Sequence, residues 1–320
     1  MAAVCGIPGA ERERTPVNSI IKRLWKKIHW HANEFLIRRP GLLARIGIPL
    51  TVVDAFGTPG DTLLTAIVCR ELKRHHPRLK INCVTPNPSL LKLDPNINRL
   101  NGPKTFCAIQ FWYLGIIHAK DAVTNVLKPT MDTLGIRDYQ YRAQVYLSPQ
   151  ELEAGKRRVA SLGQPIVTIN AMSREVVKVW PQEFWLALIR QLSGFATIVQ
   201  LGDEKEPVLP DVLRLAGTLS MRESMSILSQ ASLHIGSVSF LMHAASGLGI
   251  PSIIIFGGRE TPQNSGYADN QNLYTPMECS PCWLHDSRGD RCPYDIKCMS
   301  MITPDQVWEA IERRLALGKA

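Results

Sequence analysis

The sequence of 320 residues contains no apolar run long enough to span a membrane. Its first fifteen residues, MAAVCGIPGAERERT, also lack the apolar core of a secretory signal peptide. Low-complexity segments and short-period repeats are missing as well. We therefore expect a globular protein in the reducing cytoplasm, where clustered cysteines indicate a metal site rather than disulfides.

The net charge outside the N-terminal segment is small. The net charge is +9, but residues 1–50 hold nine Lys or Arg against three Glu, which accounts for most of it. No nucleic-acid recognition motif accompanies these basic residues, so we expect no nucleic-acid partner.

The basic residues fall in a segment with helical periodicity, 17–37. Its apolar positions are Val17, Ile20, Ile21, Leu24, Ile28 and Phe35. The spacing predicts a basic amphipathic helix. Two roles are open for it. It lies on an anionic membrane surface, giving peripheral contact with the inner face of the cytoplasmic membrane, or it packs on the protein's own body with its charges solvated.

From Leu50 onward, short apolar runs alternate with helical stretches, which implies parallel sheets. The strands are predicted at 50–56, 80–85, 104–111, 165–170, 196–202, 232–236 and 251–257. The helices are predicted at 62–76, 148–163, 181–193, 221–231, 240–248 and 303–317. We therefore predict an α/β protein: an arm (1–48) and two Rossmann-like domains (49–150 and 151–320) whose parallel sheets face a cleft.

The turn FGTPGDTLLT (56–65) follows the first predicted strand, at the edge where α/β sheets bind ligands. Gly57 and Gly60 permit a tight turn and close approach of a ligand. Asp61 falls at or near the N-cap of the next helix. An Asp at such a place usually caps the helix, and spacing alone favours that role. The alternative is a general base whose carboxylate faces the cleft.

The second half repeats this arrangement. Ser173 and Lys178 lie in a loop before a helix opened by Pro181, and a hydroxyl, an ammonium and helix N-terminal amides suit a diphosphate. A solvated loop lysine is the alternative. His243, near the start of a small-residue helix, faces a ligand or is simply packed and hydrogen-bonded. Gly257 belongs to a second glycine-bearing turn, FGGRE, on the same edge.

Four of the eight cysteines crowd into the loop 279–298, CSPCWLHDSRGDRCPYDIKC. The pair Cys279 and Cys282, followed by Cys292 and Cys298, is typical of a tetrahedral thiolate metal site. A structural zinc would hold this polar loop in shape, and iron accepts the same ligands. Unligated thiols, or disulfides formed on oxidation, are the alternatives.

Five motifs, in this order, resemble family 9 glycosyltransferases, the ADP-heptose:lipopolysaccharide heptosyltransferases and their relatives. They are GDTLLT, KVWPQEFW, AGTLSMRESMSILSQASLHIGS, LMHAASGLGIPSIIIFG and CSPCW…CPYDIKCMSMITPDQV. The resemblance covers about residues 50–317. It implies the two-domain GT-B fold, with the acceptor mainly on the N-terminal half and the nucleotide sugar mainly on the C-terminal half.

The resemblance also implies roles for residues. Asp61 matches the family's proposed catalytic base. The positions that match donor-binding residues are Ser173 and Lys178 at the diphosphate, Gly202 and Glu206 near the nucleoside, and His243. The chain departs from the family at one segment, where Val238 replaces an Asp and Phe240 replaces a Gly.

The function implied is inverting transfer of a heptose-like sugar from an ADP-sugar, or another nucleotide sugar, to a hydroxyl of a lipopolysaccharide core or other cell-surface glycan. No catalytic metal is expected. Two alternatives stay open. The acceptor is a protein of the autotransporter type, because some protein-modifying relatives carry an iron-bound cysteine finger. Otherwise, the chain is a catalytically weak sugar-nucleotide-binding protein, which Val238 would favour.

Overall fold

The computed structural model describes residues 31–103, 105–285 and 290–315. Most of the predicted amphipathic helix, 17–30, lies outside this part. Residues 31–37 are helical (α1) and are followed by α2 (Pro40–Ile46). Within the described chain, no helix combines the length and apolarity that crossing a membrane requires.

The end of the arm packs on the protein's own body. The Asn33 side chain donates from Nδ2 to the Ala108 carbonyl (3.1 Å) and accepts from the Ala108 amide at Oδ1 (3.0 Å). Phe35, placed on the apolar stripe by the sequence, is 52% exposed, whereas Ile37 is buried. For residues 31–37 the packing role is therefore the one that the structure favours.

The first half forms a four-stranded parallel sheet in the order β3-β2-β1-β4. Its strands are β1 (Leu50–Asp54), β2 (Ile81–Val84), β3 (Arg99–Leu100) and β4 (Cys107–Phe111). The helices are α3 (Pro59–His75), α4 (Pro88–Leu91), α5 (Leu114–Ala119) and α6 (Lys128–Thr133).

The second half forms a six-stranded parallel sheet in the order β10-β9-β8-β5-β6-β7. Its strands are β5 (Ile166–Asn170), β6 (Thr197–Gln200), β7 (Leu213–Arg214), β8 (Leu233–Ser237), β9 (Ser252–Phe256) and β10 (Gln271–Tyr274). The helices are α7 (Pro149–Val159), α8 (Gln182–Leu192), α9 (Met221–Leu228), α10 (Phe240–Leu248), α11 (Pro262–Ser265), α12 (Lys297–Ser300) and α13 (Pro304–Leu315), with a 3₁₀ turn at Val176–Lys178.

These two parallel sheets confirm the predicted α/β fold class. Every residue of β5, β8 and β9 is buried, as expected for strands covered by helices on both faces. The boundary near residue 150 stays a prediction, although β1–β4 and β5–β10 fall on either side of it.

The helix starts follow their capping residues. Ser148, at the start of the helix predicted at 148–163, caps α7 in a capping box with Glu151. The start of α3 was placed too late by the sequence: the helix begins at Pro59, and its N-cap is Thr58, not Asp61. Interpreting Asp61 as the helix cap is therefore wrong, since it is the third residue of the helix.

The two halves meet at the carboxyl ends of their strands. Helix α10 packs on α3 so closely that a Cβ atom on Gly60 would lie 3.0 Å from Cδ2 of His243. Nearby, Thr261 donates to the Ala122 carbonyl (2.6 Å). On the other side, the Arg222 side chain donates to the Ser89 carbonyl (3.1 Å). Side chains of both halves therefore reach one site.

Candidate active site

Asp61 is a buried carboxylate held by two hydroxyl donors. Thr58 Oγ1 donates to Oδ2 (2.6 Å), and the Tyr113 hydroxyl donates to Oδ1 (2.9 Å). Thr58 belongs to the turn after β1 and Tyr113 to the segment after β4, so adjacent strand ends supply both donors. Because the two oxygens are fixed separately, the carboxylate has a defined orientation.

The environment of Asp61 makes it more basic than an ordinary Asp. Burial raises the pKa of Asp61 from 3.8 to about 6. The hydrogen bonds from Thr58 and Tyr113 oppose this shift, while the charges of Asp54 and Glu260 add to it. At neutral pH the group is therefore mainly ionised, yet its pKa is close to the range that suits a general base.

Lys178 lies in the 3₁₀ turn that follows β5, in the other half of the chain. Its Nζ is 3.5 Å from Oε1 of Glu260. Burial lowers the pKa of Lys178, and the charges of Glu260 and Asp61 oppose this shift. The carboxylate of the first half and the ammonium of the second thus belong to one electrostatic cluster, so a solvated loop lysine does not describe this residue.

Sequence reasoning missed Arg259 and Glu260, which complete the cluster. The Arg259 guanidinium contacts Glu260 Oε1 (3.1 Å) and lies over the Trp283 ring, 5.3 Å from its centroid. Burial alone would raise the pKa of Glu260, but Lys178 and Arg259 outweigh it and hold the pKa below the ordinary value. Both residues are part of the FGGRE turn (256–260), so the position of this turn at the ligand edge was the available signal.

His243 is buried between the halves. Its Nδ1 is 2.7 Å from the Tyr267 hydroxyl, and its ring packs against Gly60. Burial lowers the pKa of His243 to about 4, with Lys178 adding to the shift and Glu260 opposing it. The side chain is therefore neutral at pH 7 and hydrogen-bonded, as the packed alternative predicts, while it lies beside the Asp61 turn.

Glu206 does not point outward in this arrangement. Its carboxylate accepts from the amides of Ala171 (2.8 Å) and Met172 (3.2 Å), in the loop after β5. Burial raises the pKa of Glu206 to about 7, although these two amides oppose the shift. Gly202, at φ +135°, leaves the space that the Glu206 side chain fills. Both residues shape the loop that carries Ser173, which is itself buried.

The three glycines of the strand-end turns are needed for different reasons. Gly57 has φ +72°, and a Cβ there would lie 3.0 Å from Cγ of Pro86. Gly60 allows His243 to approach, as described above. Gly257 faces Met299 and the Val177 carbonyl, so a side chain would displace the turn that carries Lys178.

Val238, at the position where the family has an Asp, is 4% exposed and belongs to the hydrophobic core. The next residue, Ser239, is the N-cap residue of α10, and its hydroxyl donates to Asn170 Oδ1 (3.4 Å). The chain therefore has a packing residue here.

All four cysteines of the 279–298 loop line one cavity of about 20 Å³. The seven cysteines of the described chain are free thiols, so the disulfide alternative does not apply to them. The Ile296 amide donates to Cys292 Sγ (3.4 Å). However, over the described residues no group of three or more His, Cys, Asp or Glu has the arrangement of a metal site. The predicted metal is therefore not confirmed.

Two parallel α/β sheets that meet at their carboxyl ends, with a buried cluster of charged groups between them, form a GT-B architecture. The sequence model of glycosyltransferase family 9 (heptosyltransferase) matches residues 118–290, more than half of the chain. The chain belongs to this family and is a transferase, as the motifs predicted.

Individual relatives agree with this assignment. Lipopolysaccharide heptosyltransferase 3 of Escherichia coli is 23% identical, over 63% of this chain and 81% of the relative. A family 9 glycosyltransferase from Veillonella parvula matches in structure with a TM-score of 0.64 at 14% identity, over 84% of this chain and 98% of that one. The iron-containing dodecameric glycosyltransferase TibC of enterotoxigenic E. coli matches with a TM-score of 0.67 at 18% identity, over 85% and 77%. At such identities the structural matches show the fold alone.

Proposed function

We propose that this enzyme transfers a heptose from ADP-heptose to a hydroxyl of a lipopolysaccharide core sugar, with inversion at the anomeric carbon. The observation that carries the proposal is the cluster in which Asp61, from the first half, meets Lys178 and Arg259, from the second. The relative named lipopolysaccharide heptosyltransferase 3 supports the acceptor class, and a structure of TibC with ADP-D-β-D-heptose supports the donor class.

In the proposed reaction, Asp61 takes the proton of the acceptor hydroxyl as its oxygen bonds to the anomeric carbon. The bond from that carbon to the diphosphate oxygen breaks, and ADP leaves with the electron pair. A positioned base contributes about 10²–10⁴ in rate. Thr58 and Tyr113 each donate to one carboxylate oxygen and so fix the orientation of the base.

Negative charge develops on the departing diphosphate, and Lys178 and Arg259 would stabilise it. Lys178 and Arg259 both contact Glu260, and Arg259 also lies 4.0 Å from Oε1 of Glu175. The diphosphate would take over Lys178 from Glu260, with Ser173 adding its hydroxyl. We also propose further donor contacts, or supports for the loop that carries Ser173, at Gly202, Glu206, His243 and Gly257.

The test is transfer from ADP-heptose to a heptose-containing core oligosaccharide, followed by mass spectrometry, with the product anomer read by NMR. Asp61→Asn should lower kcat by about 10²–10⁴ while ADP-heptose still raises the melting temperature. Lys178→Gln should weaken the donor-induced thermal shift. Lys128→Gln, an exposed lysine paired with Asp132, is the matched control. Wild-type turnover in Asp61→Asn would show that another group is the base.

Two other outcomes of the same assay have meaning. Transfer to a protein but not to the oligosaccharide would indicate an autotransporter-type acceptor. Binding of ADP-heptose without turnover on either acceptor would indicate a binding protein.

We also propose that Cys279, Cys282, Cys292 and Cys298 hold one structural metal ion, zinc or iron. Their common cavity has room for about one small ion, and four thiolates with a backbone N–H donor are the chemistry that such ions take. The metal would fix the loop that carries Trp283 against Arg259. Elemental analysis of the purified protein tests this, and Cys292→Ser should lower both metal content and melting temperature.

Residues 17–30 are proposed to contact the inner face of the cytoplasmic membrane. Because Asn33 binds strand β4, a deletion should stop at residue 30. Loss of binding to anionic liposomes, with the melting temperature kept, would support the contact. Unchanged liposome binding would contradict it.

A further inference from the structure

An exposed pair of stacked aromatic rings stands at the carboxyl edge of the first sheet. Trp112 directly follows β4, and 42% of it is exposed. Its ring stacks on Phe56, with centroids 5.0 Å apart and planes 19° from parallel. Phe56 belongs to the turn between β1 and α3, which also carries the start of the Asp61 helix. One face of the indole is thus supported while the rest of the ring meets solvent.

The stack is connected directly to the proposed base. The Phe56 ring lies 4.2 Å from that of Tyr113, and the Tyr113 hydroxyl donates to Asp61 (2.9 Å). Tyr113 also lies 6.3 Å from Trp283 of the second half. The aromatic pair therefore adjoins both the carboxylate and the junction of the two halves.

Basic residues are missing from the loops that surround this pair. The segments after β1, β2 and β4 read AFGTPG (55–60), TPNPS (85–89) and WYLGII (112–117), with no Lys or Arg. A phosphorylated group is normally held by such residues. On the first-half side of Asp61 the surface is therefore uncharged and aromatic, which suits an uncharged ring, whereas the cations Lys178 and Arg259 belong to the second half.

We propose that Trp112, supported by Phe56, is the acceptor subsite, on which the apolar face of a pyranose ring stacks with its hydroxyl at Asp61. The C–H bonds on that face carry slight positive charge and meet the negative face of the indole. The Trp112 side chain has only two torsion angles, so fixing it against a ligand costs little conformational entropy. This inference rests on the proposed sugar transfer and names its acceptor class: a neutral sugar ring recognised by shape rather than by phosphate.

Steady-state kinetics test the subsite. Trp112→Ala should raise the KM for core oligosaccharide by about tenfold, with the KM for ADP-heptose and the donor-induced thermal shift unchanged. Trp112→Phe, which keeps a ring, should restore much of the loss. Phe106→Ala is the matched control, because Phe106 is 43% exposed just before the other end of the same strand. An unchanged acceptor KM in Trp112→Ala would overturn the proposal.

A binding measurement separates this inference from the proposed function. Saturation-transfer NMR without donor should show contact between wild-type protein and the C–H protons of dephosphorylated core oligosaccharide. Trp112→Ala should lose that contact, and Phe106→Ala should keep it. If wild type binds the sugar in this way but transfers nothing, the transfer reaction fails and the subsite stands. If wild type transfers heptose while both variants bind equally, the subsite fails and the transfer stands. Binding that requires the phosphorylated oligosaccharide would also overturn the subsite.

Discussion

Removing the Tyr113 hydroxyl should move the acid limb of the pH–activity curve to higher pH and leave the form of the curve unchanged. Tyr113→Phe deletes the donor to Asp61 Oδ1 and leaves the ring in its stack with Phe56. A hydrogen bond to a charged group is worth about 1.5–3 kcal/mol net, and 1.36 kcal/mol corresponds to about one pKa unit. Because Thr58 keeps its bond to the other oxygen, we take the lower end. The pKa of Asp61, about 6 in the wild type, should rise to about 7.

The sign follows from the role of the base. Only the ionised carboxylate accepts a proton, so activity rises with pH through the pKa of Asp61. At pH 6 the ionised fraction should fall from about one half to about one tenth, lowering kcat/KM about fivefold, whereas at pH 8.5 the variant should match the wild type. Tyr146→Phe is the control, since Tyr146 donates to Gln144, and both residues lie in the segment between α6 and α7. An acid limb that stays near pH 6 in Tyr113→Phe would refute the reasoning, because the titrating group would not then be Asp61.

Two stability predictions follow from the packing of α7 against α9. Arg222→Leu removes a bidentate pair with Glu151 (both contacts 2.6 Å) and should cost about 3 kcal/mol in urea denaturation at pH 7. The Arg222 guanidinium, although opposed by burial, holds the pKa of Glu151 well below its usual range, so the cost should shrink as the pH falls below about 4. Gly155→Ala would place a methyl group on the Ser226 carbonyl and should cost about 1–3 kcal/mol in the same urea denaturation. Gly115→Ala, with open space around it, should be neutral or stabilising in that assay.

The longer helices and strands could be predicted from the sequence, because their buried positions recur as a pattern of apolar residues. Strands β5 and β9 are mainly apolar, β8 is fully buried, and each of the three was predicted within about two residues. The two-residue strands β3 and β7 have no such signal, because pairing with a neighbour alone makes them strands. Local periodicity cannot report a contact that depends on a distant partner.

The same limit applies to the site. Motif position identified Asp61 and Lys178, although spacing alone favoured a helix cap for Asp61. Nothing local pointed to Tyr113, which is 52 residues from the carboxylate that it contacts. Glu260 is likewise far along the chain from Lys178, although its Oε1 lies 3.5 Å from the Lys178 Nζ. What the chain pattern could not supply is which side chains of two separate sheets meet.

The contact between the two halves also affects the pKa of Asp61, the proposed base. Burial raises the pKa of Asp61, and the charge of Glu260, from the second half, adds to the shift. His243, also from the second half, packs directly on the neighbouring Gly60. Separating the halves would hydrate the carboxylate and remove the charge of Glu260, and both changes lower its pKa toward that of an ordinary Asp. Asp61 is therefore the stronger base only where Lys178 is also in place. In the proposed reaction, the fold would thus couple proton removal from the acceptor to the assembly of the cations that receive the leaving diphosphate.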